Sequence, residues 1–244
     1  MKDDLLRPGE RVDDLQRGGF HLIQNPSAFC FGIDAVLLAF FTKVMPGEDV
    51  LDMCTGNGAV MMLLAARQKG RHLTGLEIQK EAADLARRNV VLNHAEDTCD
   101  VVEGDLKCAT DIFGYEKFNV ITVNPPYMKA QTGFTNPNSA KAIARHEILC
   151  TSEDVIRSCS KLLKVRGRLY MVHRPQRLVE LFEQMRAYKL EPKRIRMIHP
   201  NKEKNANMVL IEAVKGGNAE LTTEPPLFVY ESDGTYTKEL RDVY

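Results

Sequence analysis

The chain has 244 residues, 44% of them hydrophobic and 27% charged, and its formal net charge is zero. This is the make-up of an ordinary soluble globular protein with room for one large domain. It argues against a membrane-spanning chain, since no apolar run approaches the ~18 residues of a span, and residues 1–17 are too charged for a signal peptide. The balanced total does not announce a nucleic-acid partner. Cys30, Cys54, Cys99, Cys108, Cys150 and Cys159 form no C-x-x-C pair and no regular spacing. They read as reduced thiols of a cytoplasmic protein, with neither a disulfide frame nor a metal site.

Residues 1–19 are polar and close on Gly18-Gly19; residues 20–24 read as a short strand. Residues 1–24 are therefore expected to be an N-terminal arm or edge element, with Arg7, Arg11 and Arg17 able to touch RNA. Residues 35–41 are apolar on nearly every side, which predicts a buried helix. Asp34 falls in its first turn, where the helix dipole favours a carboxylate. Phe31 and Asp34 either lie near the tail of a ligand or serve in capping and packing.

Residues 50–53 predict a strand, residues 54–58 a small-residue turn, residues 59–67 an apolar helix, and residues 73–76 a strand closing on Glu77. This is a βαβ unit whose first turn, with Gly56 and Gly58, lets backbone approach a ligand closely. Glu77 lies 19 residues after Gly58, near the spacing of an acid that binds ribose hydroxyls. Met61 takes the third position of G-x-G-x-x-G, so a nucleoside fits better than a pyrophosphate. An ordinary α/β turn with an exposed Glu is the alternative. Residues 81–93 predict a helix with Ala82, Leu85, Ala86, Val90 and Leu92 on its apolar face. Residues 100–103 predict a strand. Asp105 beyond it either faces an adenine at the ligand edge of the sheet or caps a helix.

Residues 118–123 read as a buried strand running into Asn124-Pro125-Pro126-Tyr127. The prolines stiffen the strand end and hold Asn124 out of the helical region. The Asn124 side-chain oxygen and the Pro125 carbonyl can both accept from an –NH₂ group, and Tyr127 can stack on a flat ring. A plain proline turn is the alternative.

Asp52, Gly56, Gly58, Glu77, Gly104-Asp105 and Asn124-Pro125-Pro126-Tyr127 together resemble the class I S-adenosylmethionine-dependent methyltransferases, in order and spacing. The tetrapeptide resembles the branch that methylates nitrogen of adenine, guanine or protein glutamine. The resemblance implies a Rossmann-like α/β fold: a seven-stranded, mostly parallel sheet with an antiparallel last strand and helices on both faces. It implies S-adenosylmethionine as cofactor, with Asp52, Cys54, Thr55, Gly56 and Gly58 around its methionine part. Glu77 and Ile78 would then hold the ribose end, and Asp105 and Leu106 the adenine, with Phe31 and Asp34 near the cofactor tail. Asn124, Pro125, Pro126 and Tyr127 would hold the target amine, Asn124 also bordering the cofactor. Cys54 departs from the Gly common at that position, and a tighter turn with the site intact is expected.

Residues 128–139 read as a loop at the mouth of the site, and residues 140–149 as a helix carrying Arg145-His146-Glu147. A methylated aromatic amine sheds its proton readily, so these three are read as a structural pairing. Thr151 and Asp154 form a candidate capping box for a helix through residue 163. Strands over 167–172, 193–199 and 208–214 and a helix over 176–188 complete the fold. Residues 186–204 hold seven basic residues against Glu191 and Glu203; such a stretch lines a phosphate-facing surface or is a solvated face. Residues 215–244 are expected to pack on the core as a C-terminal extension without chemistry of its own, residues 1–244 forming a single domain.

The whole chain further resembles the bacterial tRNA(Val) adenine-N6 methyltransferases, through Phe31-Gly32-Ile33-Asp34, Ala144-Arg145-His146-Glu147, His199-Pro200 and residues 229–244. That implies methyl transfer to the N6 of an adenine in tRNA, at the purine 3′ of the anticodon. Ribosomal RNA guanine N2 or a protein glutamine is the alternative acceptor, and a non-catalytic cofactor-binding RNA module the alternative class.

Overall fold

The computed structural model describes residues 5–27, 30–67, 70–125 and 150–243. Strands β1 (Arg11–Asp14) and β2 (His21–Gln24) form an antiparallel hairpin outside the main sheet. Helix α1 (Ile33–Phe41) follows, then β3 (Asp49–Met53), α2 (Ala59–Ala65), β4 (His72–Glu77), α3 (Lys80–Leu92) and β5 (Cys99–Glu103). The short α4 (Ala109–Phe113) leads to β6 (Phe118–Val123). From residue 150 onward come α5 (Ser152–Leu162), β7 (Leu163–His173), α6 (Leu178–Ala187), β8 (Leu190–His199) and β9 (Met208–Lys215). The chain closes with β10 (Thr222–Thr223), β11 (Leu227–Phe228) and α7 (Lys238–Val243).

The main sheet runs β10-β8-β9-β7-β6-β3-β4-β5, with β11 also on β8. Strands β5, β4, β3, β6 and β7 are parallel, and β9 lies antiparallel between β7 and β8. The seven expected strands are all present. The sheet has nine because β10 and β11 pair along the outer edge of β8, shielding an edge that would otherwise offer unpaired backbone groups.

Period-two alternation splits each central strand between two cores. Val50, Val120, Tyr170 and Leu210 pack on one face with α1 and α2. Leu51, Ile121, Leu169 and Ile211 pack on the other with α5 and α6. This explains why α1 and α2 are apolar all round: every residue of α2 is buried. The expected capping box of α5 is formed by Thr151 and Asp154.

Two stretches gain their setting in three dimensions. The basic stretch runs from α6 along β8, where its arginines pair with carboxylates, Arg186 with Glu191 among them. Arg194 pairs with Glu212 and Glu224 and lies 3.7 Å over the Phe41 ring. Arg196 pairs with Glu239. The second stretch is the arm, which is docked onto α3 by side-chain amides. Asn89 accepts from the Ile23 N–H and donates to its carbonyl; Asn93 does the same for His21. The two amides thus complete the outer edge of β2 as a neighbouring strand would. Among the described residues no helix is long and apolar enough to cross a membrane.

Candidate active site

The carboxyl ends of β6, β3, β4 and β5 lie side by side and open into a cavity of about 460 Å³. An open parallel sheet binds ligands at this edge because the strand-to-helix turns leave a crevice there.

Asp52 is 2% exposed and stands in register between Gly75 of β4 and Thr122 of β6. Its two carboxylate oxygens accept from the hydroxyls of Thr55 (2.6 Å) and Thr122 (2.8 Å). Burial pushes its carboxyl up to about 6, against those hydrogen bonds. The Thr55 contact requires Gly75: a Cβ there would stand 2.8 Å from the Thr55 methyl. Cys54 occupies the left-handed region at φ +60, which explains why glycine suits that position.

Glu77 is 5% exposed. Its carboxylate accepts the Gly56 N–H and the Gln79 N–H, each at 2.9 Å, and so ties the turn after β3 to the end of β4. Burial raises its pKa, while those N–H groups oppose the rise. Each carboxylate oxygen has a further lone pair for a hydroxyl of a ligand. Asp105 caps the following 3₁₀ turn, accepting the Lys107 N–H at 2.9 Å, and it also borders the cavity. Ile78 and Leu106 supply apolar wall beside it. Gly58 does not border the cavity; at φ +83 it starts α2, with Ala86 3.4 Å from where its Cβ would be.

At the β6 end, Asn124 and Pro125 reach the cavity. Phe31 borders it too, whereas Asp34 stands behind the wall. The buried Asp34 carboxylate accepts from the Asn124 Nδ2 at 3.0 Å. Pro126, Tyr127, the loop after them and Arg145-His146-Glu147 lie outside the described residues.

Arg7, Glu10 and Cys150 join the cavity wall without a motif to mark them. Arg7 and Glu10 of the arm border the cavity, held by Arg88 of α3. Arg88 donates to both Glu10 oxygens at 2.6 and 2.8 Å and to the Leu5 carbonyl. Burial would raise the Glu10 carboxyl, but the hydrogen bonds from Arg88 and Arg7 hold it below its ordinary value. Cys150, two residues before α5, also lines the cavity. No spacing rule could have found Arg7 or Glu10, since each is brought to the site by packing. His173, at the end of β7, does not line the cavity; it is 1% exposed, its Nδ1 accepts the Arg174 N–H at 2.8 Å, and burial lowers its pKa to about 4. Among the described residues no group of three or more His, Cys, Asp or Glu is placed to hold a metal.

Known proteins agree with this geometry. The family model for the methyltransferase small domain matches residues 21–193. A tRNA1(Val) (adenine(37)-N6)-methyltransferase of Porphyromonas gingivalis is 27% identical, covering 90% of this chain and 89% of its own. One of the same name from Bacteroides thetaiotaomicron is 31% identical over 63% of each chain. A crystal structure of a predicted O-methyltransferase from Agrobacterium tumefaciens has a TM-score of 0.69 and 27% identity, covering 86% of this chain and 94% of that one. A nucleoside-sized cavity at the strand ends, an acid at the end of β4 and a match over most of the chain converge: the protein belongs to the methyltransferase small domain family.

Proposed function

We propose that the protein transfers a methyl group from S-adenosylmethionine to the N6 of an adenine in tRNA, adenine 37 of tRNA(Val) being the site its relatives are named for. The cavity residues fit this cofactor. Glu77 keeps acceptor capacity beside the backbone N–H groups it binds, which suits ribose hydroxyls. Asp105 between Ile78 and Leu106 suits an aminopurine between apolar walls. Asp52, Cys54, Thr55 and Gly56 line the part left for the methionine moiety. When bound, the cofactor supplies an electrophilic methyl group on sulfur.

The observation that carries the nitrogen assignment is the orientation of Asn124. A carboxylate only accepts, so the NH₂ end of the Asn124 amide faces Asp34 and its oxygen faces away. That oxygen and the Pro125 carbonyl form a pair of acceptors for the two hydrogens of an exocyclic amine. An alcohol has a single hydrogen and would engage only one of them. Holding the amine this way aims its lone pair into the cavity, and catalysis is mainly positioning. The target base enters unstacked from its neighbours, at a cost of a few kcal/mol that contacts in the pocket offset. A tRNA substrate supports a cytoplasmic location.

The test is transfer of labelled methyl to bulk tRNA from cells lacking the protein, followed by nucleoside analysis. N6-methyladenosine is the expected product. Label in guanine of ribosomal RNA or in protein glutamine, with tRNA unlabelled, would overturn the adenine assignment and keep the chemistry.

A further inference from the structure

We infer that Asp34 is a positioning residue for methyl transfer: it sets which end of the Asn124 amide meets the target amine. The inference rests on the amine-acceptor reading of Asn124 and extends it to a residue 90 positions away in the chain. An amide is nearly symmetric in shape, so its two orientations differ only in what surrounds it. Turned the other way, Asn124 would present NH₂ to the incoming amine, donor against donor. Asp34 removes that orientation because its carboxylate cannot donate. It is itself fixed: it lies in the first turn of α1, is 9% exposed, and does not border the cavity. Its place also depends on Gly32, since a Cβ there would stand 2.8 Å from Asp34 Oδ1. Phe31-Gly32-Ile33-Asp34 is thus a device of α1 that acts on the end of β6.

A charge swap tests this. Asp34→Asn lets the amide turn and should lower kcat about tenfold to a hundredfold, with cofactor Kd and tRNA KM within about twofold of wild type. Asn124→Asp alone sets two carboxylates face to face and should lose more. In the double variant Asp34→Asn/Asn124→Asp the introduced amide donates to the introduced carboxylate, which again presents an acceptor. It should recover at least about tenfold over Asn124→Asp, the non-additivity that marks direct coupling. Gly32→Ala, which touches nothing in the cavity, should reproduce the kcat loss by displacing the carboxylate. An Asp34→Asn enzyme with wild-type kcat, or a double variant no better than Asn124→Asp, overturns the inference. Product analysis of the wild type in the same assay separates the two readings. N6-methyladenosine from wild type with either overturning result leaves the function standing and Asp34 without a role. A wild-type product on oxygen or on another base removes the function itself.

Discussion

The cofactor half of the site, at the ends of β3, β4 and β5, combines local contacts with two longer ties, Asp52 to Thr122 over 70 residues and Glu77 to Gly56 over 21. Asp52 bonds Thr55 three residues on, and Glu77 and Asp105 each bond the backbone two residues on. The acceptor half and the arm are built across the chain: Asp34 to Asn124 spans 90 residues, Glu10 to Arg88 spans 78, and Ile23 to Asn89 spans 66. Each half buries carboxylates, but they serve differently. Asp52 and Glu77 shape turns as well as linking neighbouring strands, whereas Asp34 and Glu10 join distant segments. A local turn survives as a sequence motif because few residues can make it, while a long-range contact leaves no spacing to read.

Breaking the acceptor half should have the largest effect on turnover and the least on cofactor binding. Asn124→Ala should lower kcat about a hundredfold or more, with cofactor affinity by calorimetry nearly unchanged. Comparable weakening of cofactor binding would mean that the two halves are not separable.

In the cofactor half, Glu77→Ala removes the acceptor of the Gly56 and Gln79 N–H groups. Two orphaned backbone donors at about 1–3 kcal/mol each predict a loss near 3 kcal/mol in urea unfolding, together with weaker cofactor binding.

Asp52 makes the comparison depend on pH. Its carboxyl moves from 3.8 to about 6 on folding, which corresponds to roughly 3 kcal/mol. Between those values the folded protein holds a proton that the unfolded chain has released, so stability falls as pH rises through the window. The penalty is fully present above about 6 and absent well below 3.8. Asp52→Asn should therefore stabilise the cofactor-free protein at pH 7.5, by up to about 3 kcal/mol, and change little at pH 3.5. A gain independent of pH would mean that ionisation is not its source.

The arm should matter less. Arg88→Ala deprives Glu10 of its bidentate partner and should raise cofactor Kd about three- to tenfold, or about 0.7–1.4 kcal/mol, by loosening one wall. The smallest effect belongs to Cys54→Gly. It relieves a left-handed φ worth about 1 kcal/mol but adds backbone freedom to the unfolded chain, so stability should move by less than about 1 kcal/mol.

The amino-acid sequence by itself determined the strands, the apolar run of α1 after Asp34, the fully apolar α2, the capping box of α5, and the acids at the strand ends. Periodicity, capping and turn chemistry act over a few residues, so each leaves a mark within one segment. Only the tertiary structure brings the Asp34 carboxylate onto the Asn124 amide, sets Arg7 and Glu10 in the cavity wall, and pairs Arg194 and Arg196 of the basic stretch with Glu212, Glu224 and Glu239. It also showed that Gly75, in mid-strand, is needed by Thr55 across the turn. These depend on which elements pack side by side, and pairing at such range is set by the sum of two cores rather than by the residues of one segment.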